Sequence, residues 1–250
     1  MSGVDSVRSL ARRSAAEFLV IVFGVLVALA VDDRRQSIRD RQFERDALQQ
    51  VQNDLNLDGQ DLALAASRAS RRAVAGIRLL EKFGEAQEVL AEVRNRTGAL
   101  TDLAVVTLPS EGADSVGQEV MALFRTQVFD PTRSAFSALL SGGALRLIRD
   151  DTTRWALVSY YGFVDAMLEA QPVFRNRQQA FVDHLARLGV TQWDLLARRG
   201  QFLRLRADPT FQTEIRTILW FTQQQISMLK DIERRRMELL RLVESQLTRR

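Results

Sequence analysis

The chain reads as an all-α protein, with an N-terminal transmembrane helix continuing into a multi-helix bundle that has long first and last helices. Three observations predict this class. Ser14 to Val31 reads SAAEFLVIVFGVLVALAV, and from Phe18 to Val31 it holds no charge, no Pro and no polar side chain. Apolar residues then recur at helical steps after Leu48, and again from Phe211 almost to the end. No strand-like alternation and no internal repeat stands out between them. The chain divides accordingly into a basic tail (1–13), a membrane helix (14–31) and a helical soluble domain (32–250).

The apolar stretch is the element that the rest must follow. Fourteen residues from Phe18 to Val31 rise only about 21 Å as a helix. With Ala15 and Ala16 the span approaches the roughly 30 Å of a bilayer core. Ser14 and Glu17 have capping-box spacing, so Glu17 is expected at the helix start. A cleaved signal peptide is the alternative: Arg8, Arg12 and Arg13 precede a suitable apolar core, and Ala28-Leu29-Ala30 fits a small-x-small cleavage site. A retained anchor is the reading preferred here, because nothing breaks the helix through Asp32. Five Arg after the stretch (Arg34, Arg35, Arg39, Arg41, Arg45) against three before it favour an internal body. Acids interleaved with those five, and the size of the body, lead instead to an exported one, in the periplasm if the membrane is a bacterial inner membrane.

The totals fit a folded body. The 250 residues are 46% hydrophobic and 26% charged. Net charge is +4 with a pI near 10.2, because the base is nearly all Arg. Arg68, Arg71 and Arg72, and Arg234 to Arg236, lie among acids on helices and read as solvated faces, not as a track for nucleic acid. Arg34 and Arg35 suit anionic lipid headgroups. With no cysteine, thiolate catalysis, disulfides and Cys-ligated metals are excluded.

In order along the body, Leu48, Val51, Leu55, Leu62, Ala65 and Ala69 mark one face of a helix running from about Ser14 past Ser70. Phe83-Gly84 is a break, 85–96 a further helix, 99–117 a loop and 118–128 a short helix. Asp130-Pro131 reads as a helix start with Asp as N-cap. Ser134 to Leu140 follows, stopped at Ser141-Gly142-Gly143. Leu145, Leu147 and Ile148 form a short bridge, and Asp150 or Asp151 caps the next helix, which Pro172 kinks or interrupts and Gly189 ends. A short helix at 191–198 precedes Asp208-Pro209, a second start signal, from which the last helix runs to about Leu247. Its expected inner register is Phe211, Ile215, Ile218, Thr222, Gln225, Leu229, Ile232, Arg236, Leu239, Val243 and Gln246. The first and last helices are expected to pair antiparallel.

Candidate chemistry is sparse. No phosphate loop or Gly-x-Ser-x-Gly turn occurs, and no cofactor is implied. His184 is the only histidine, so it reads as a packed or surface residue before a general base. Asp54, Asp58 and Asp61 share one helix face; a solvated acidic stripe is expected there, with a hard-cation site as the sharper reading. Trp155, Tyr160 and Tyr161 read as core, as do Trp193, Trp220 and Phe221, with a ligand pocket at the first three as the alternative. An enzyme would need Asp150, Asp151, Arg154 and Tyr160 to converge. Gly24 and Ala28 would let two anchor helices approach closely.

Two stretches resemble a known group. Glu17 to Leu29 precedes a charged helix reaching Asn53-Asp54-Leu55, and Phe129 to Tyr161 reads FDPTRSAFSALLSGGALRLIRDDTTRWALVSYY. Together they resemble a family of uncharacterised bacterial proteins, a domain of unknown function, with one N-terminal membrane helix and a helical soluble domain. Glu17, Gly24, Ala28, Pro131, Ser134, Gly142, Leu145, Leu147, Ile148, Tyr160 and Tyr161 carry the likeness. Members show Asn-x-Trp after the membrane helix, where this chain has Asp32-Asp33-Arg34-Arg35. The resemblance implies membrane attachment, with Glu17, Phe18, Gly24, Ala28 and Val31 in the anchor, and implies no reaction. The expected function is therefore a single-pass, membrane-anchored helical module that binds a protein partner or self-associates, without catalysis. A sensor-like domain for a small molecule is the alternative, and an exported enzyme stands behind both.

Overall fold

The computed structural model describes residues 3–84, 91, 116–125, 128–191, 194–195 and 201–248, with side chains from 22 onward in the first helix and from 204 onward in the fifth. Among these residues lie six α-helices, one 3-10 turn and no strand. The first helix, α1, spans Gly3–Lys82. It begins ahead of Ser14, so Glu17 lies in a helix interior and the capping-box assignment of Ser14 and Glu17 is corrected. Every residue of the expected inner face from Leu48 to Ala69 is buried. Gly84, at φ +83°, ends the helix at the expected break, its N–H donating to the Glu81 carbonyl at 3.0 Å.

Of the helix expected at 85–96 only Ala91 is described, and it is helical; the loop expected over 99–117 lies outside the described residues up to 115. Helix α2 spans Val116–Phe124, two residues earlier than the spacing suggested. Position 117, inside α2, has to be glycine because a Cβ there would run into the Leu195 carbonyl oxygen. Helix α3 spans Ser134–Ser141, followed by a 3-10 turn at Ala144–Leu147 and by α4 at Asp151–Arg187. Gly143 supplies the left-handed residue (φ +61°) between α3 and that turn. Asp150 caps α4 by accepting from the Thr153 N–H at 2.8 Å. Pro172 does not interrupt α4, which runs to the left-handed Gly189. Of the helix expected at 191–198, Asp194 and Leu195 are described and helical, with Thr191 and Asp194 exchanging side-chain-to-backbone bonds. Helix α5 spans Gln201–Ala207 and α6 spans Pro209–Thr248, with the Asp208 carboxylate accepting from the Thr210 N–H at 2.8 Å.

The long helices α1 and α6 pack antiparallel, as expected. Gly59 faces Arg236, Arg72 bonds Gln225, and Gly76 abuts Leu219, so numbers rise on one helix as they fall on the other. All of the expected α6 register is buried except Gln246. Two apolar clusters fill the bundle. One joins Leu48–Ala66 of α1 to α3, the first half of α4 and Leu229–Val243 of α6. The other joins Ala69–Phe83 to α2, the end of α4 and Phe211–Ile226. On α4 the change from one cluster to the other falls between Met167 and Phe181, and buried Gln171 and Gln178 lie there.

Because α6 closes against the Ala47–Leu48 end of the bundle, the part of α1 before it has little to pack on. Phe23, Val25, Leu26, Val27, Leu29 and Val31 are each about half exposed or more. Among the described residues no helix is long and apolar enough to cross a membrane. The apolar stretch begins at residue 14, however, and its side chains up to 21, including Glu17 and Phe18, lie outside the described residues.

Candidate functional site

A group of buried polar contacts lies where α1 meets the segment 128–135. Asp54, Asp58 and Asp61 do share a face, but they do not form a solvated stripe: Asp54 is 6% exposed and Asp58 1%. Asp61 accepts the Asp130 N–H at 2.7 Å, Asp58 the Thr132 N–H at 2.6 Å, and Asp54 the Ala135 N–H at 2.9 Å. The match is one of pitch. Two residues of extended chain advance about 6.6 Å, close to the roughly 5.4 Å of one helical turn. The N–H groups of Asp130 and Thr132, two residues apart, therefore meet neighbouring carboxylates on α1, and the Ala135 N–H, three residues further on in the first turn of α3, meets the third. Pro131 takes the intervening place, where it leaves no N–H unsatisfied.

This arrangement corrects the Asp130-Pro131 helix start. The residue before α3 is Arg133, which makes no side-chain cap. The cap comes instead from another helix: Asp54 binds the Ala135 N–H and takes the Ser134 hydroxyl on both oxygens at 3.1 Å. The carboxylate oxygens thus already face N–H and O–H donors, which a cation would have to displace. No group of three or more acids and histidines arranged to hold a metal occurs among the described residues.

Tyr160 and Tyr161 close the same region from α4, and both are fully buried, as expected. The Tyr160 hydroxyl donates to Asp58 at 2.6 Å. Tyr161 stacks on Phe136, ring centroids 4.2 Å apart, and its hydroxyl donates to the Thr132 carbonyl at 3.4 Å. Burial, and then the Asp58 charge, push the Tyr160 phenol well above its ordinary range. Burial also raises Asp58, outweighing the hydrogen bonds from Tyr160 and Thr132, and Asp54 adds to the rise. Gln171 completes the seal by donating to the Phe129 carbonyl at 2.7 Å. Pro131, Ser134, Tyr160 and Tyr161, picked out by the family-like block, are thus gathered at one place. Gly142, Leu145, Leu147 and Ile148 form the turn from α3 to α4, with Ile148 buried and the two leucines packed on the core.

The remaining candidates do not assemble into one centre. Asp151 pairs with Arg154, which also donates to the Ile148 carbonyl, and Asp150 is spent on its cap; Tyr160 faces α1 instead. His184 is packed, 7% exposed, with Nε2 2.8 Å from Asp208 Oδ2. Trp155 is not core: it is 72% exposed, and Trp220 is 51% exposed. Trp155, Tyr160 and Tyr161 therefore line no common pocket. Trp193 lies outside the described residues, and Phe221 is half-buried, edge-on to Trp220. Gly24 has open space where a Cβ would stand.

The basic clusters split. Arg68 and Arg71 are exposed, whereas Arg72 is buried, donating to the Gln225 amide oxygen and to the Arg125 carbonyl, both at 2.8 Å. Exposed Arg234 pairs with half-buried Asp231, Arg235 lies 3.7 Å over the Phe163 ring, and Arg236 is buried, donating to the Leu55 carbonyl and to Glu233.

One signal in the sequence was available for the acidic site. The apolar steps on α1 run 48, 51, 55, then 62, 65, 69, and Asp58 fills the missing step. A carboxylate on a core-facing position requires a partner. Nothing local to α1 names that partner.

These features define a helical bundle whose buried acids clamp a connecting segment, with one apolar helix projecting from an end. No family model matches the chain, and no curated protein or solved structure is significantly similar to it.

Proposed function

We propose that the chain is a single-pass membrane protein whose helical body is a non-enzymatic interaction module for a protein partner or a second copy. The observation that carries this reading is the projecting part of α1. Val25, Leu26 and Val27 follow one another around the helix, and all are exposed, as are Phe23, Leu29 and Val31. A helix apolar on every side is at rest in a protein core or in lipid, and the bundle offers it no core. The preceding residues back to Phe18 continue the same uncharged run. Exposed Arg34 and Arg35 follow it, at the level where headgroup phosphates would stand.

The interaction role is supported by how the polar groups are used. The Asp54–Asp58–Asp61 set, Tyr160, Asp150 and His184 all serve contacts within the fold, while Trp155 and Trp220 face outward. The proposed setting is a bacterial inner membrane with the body in the periplasm.

Fractionation of a tagged full-length chain tests the anchor. Retention in the pellet after alkaline carbonate, with release by detergent, is the expected result. Release by carbonate, or a mature N-terminus near Val31, overturns it. Protease added to spheroplasts should digest the body; protection until lysis reverses the orientation. Crosslinking in native membranes, with Trp155 or Trp220 replaced by a photoreactive residue, should yield a discrete adduct with a partner or a second copy.

A further inference from the structure

Where the two apolar clusters meet, α4 and α6 border a small, partly open cavity that Arg72 of α1 also lines. Arg177, Gln178, Thr222 and Gln225 also line it, together with three apolar side chains. Arg72 is fully buried, and among the described residues no carboxylate pairs with it. Its charge is met only by neutral acceptors: the Gln225 oxygen, the Arg125 carbonyl and, with the amide turned so that its oxygen faces the guanidinium, Gln178 at 3.0 and 3.2 Å. A guanidinium has five N–H donors. Four are engaged in these contacts, and one on Nη1 is left.

The second guanidinium, Arg177, lines the same cavity. It pairs with Glu214 through Nη2 at 2.7 Å, while its Nε is buried without a partner. Among the described residues, two cations and one carboxylate therefore leave one positive charge unbalanced beside the cavity. Burial lowers the Arg72 pKa to about 10, so this group still carries its charge at neutral pH.

We propose that this cavity binds a single halide ion, chloride under ordinary conditions, between Arg72 and Arg177. The space admits about one water-sized body, which suits a monatomic anion better than a phosphate. A carboxylate is held best by two parallel N–H groups from one guanidinium, and Arg72 has already given its Nε and Nη2 pair to Gln178. A spherical anion needs only converging single donors, which the free Nη1 hydrogen, the Arg177 Nε–H and the amide and hydroxyl donors of the lining supply.

The test is chloride-35 NMR on the full-length chain in detergent micelles, together with bromide-soaked crystals. Excess chloride line broadening should saturate, be reversed by bromide and be unaffected by gluconate. It should be lost in Arg177→Gln and in Thr222→Val, two substitutions in the lining that leave Arg72 in place. Bromide should give one anomalous peak within contact distance of Arg72. Line widths equal in the native chain and both variants, an ordered water in place of bromide, or a carboxylate of the chain itself seated on Arg72 would each overturn the proposal.

Discussion

The contact between Asp58 and Tyr160 is where the fold depends most on one polar pair. Asp58→Ala removes two hydrogen bonds, from Tyr160 at 2.6 Å and from the Thr132 N–H at 2.6 Å. Hydrogen bonds to a charged group are worth about 1.5–3 kcal/mol each. Part of that loss is returned, because a carboxylate at 1% exposure no longer has to be held out of water. The expected cost is therefore about 3–4 kcal/mol. Tyr160→Phe removes one of the two bonds and leaves the ring packed, for about 2 kcal/mol. Because both substitutions remove the same contact, the double variant should fall short of the sum by about 2 kcal/mol. Urea unfolding of the four proteins in the same detergent, followed by far-UV circular dichroism, measures this coupling. A coupling within about 0.5 kcal/mol of zero would refute the reasoning, since residues in direct contact through a buried charge cannot be independent.

Three further outcomes are expected. Gly117→Ala should destabilise the body by several kcal/mol (about 3) because its methyl would overlap the Leu195 carbonyl, an obstacle of backbone that no rotamer change removes; a variant with an unchanged urea midpoint contradicts that packing. Trp155→Ser should change stability by no more than about 0.5 kcal/mol, as expected for a residue 72% exposed, and Trp155 fluorescence should be open to acrylamide. The two aspartates Asp208 and Asp58 should have opposite acid signatures. Asp208 is lowered, hydrogen bonds from Thr210 and His184 prevailing over burial, so its contribution is present above about pH 4 and is lost as pH falls through the folded value. Asp58 is raised, so its contribution is largest below about pH 4 and is lost as pH rises through the folded value. Urea midpoints between pH 3 and pH 6 should therefore show a weaker acid loss in Asp208→Asn and a steeper gain toward neutral pH in Asp58→Asn, each relative to the native chain.

Helices are local objects, and most of this architecture is set by local pattern. The steps Leu48–Val51–Leu55 and Phe211–Ile215–Ile218 place their apolar faces whatever they later meet. Gly84, Gly143 and Gly189 stop helices because each supplies a left-handed residue that its neighbours cannot. Asp150 caps its own helix three residues away. The antiparallel pairing of α1 with α6 follows from two long amphipathic faces of similar length.

The acidic clamp is another matter, because its partners are separated by 69 to 102 residues. The sequence placed three aspartates on one face; their burial, and the arrival of Asp130, Thr132, Ala135 and Tyr160 on them, arise only when α4 and the segment before α3 dock on α1. The same holds for Trp155, whose helical phase fits a core but whose side of α4 is left uncovered, and for Arg72, which differs from its neighbour Arg71 only in pointing at Gln178 and Gln225. Periodicity fixes which residues share a side of a helix, since that depends on 3.6 residues per turn alone. Which side is closed off from water, and by whom, depends on contacts between residues far apart in the chain, and those have no local signature.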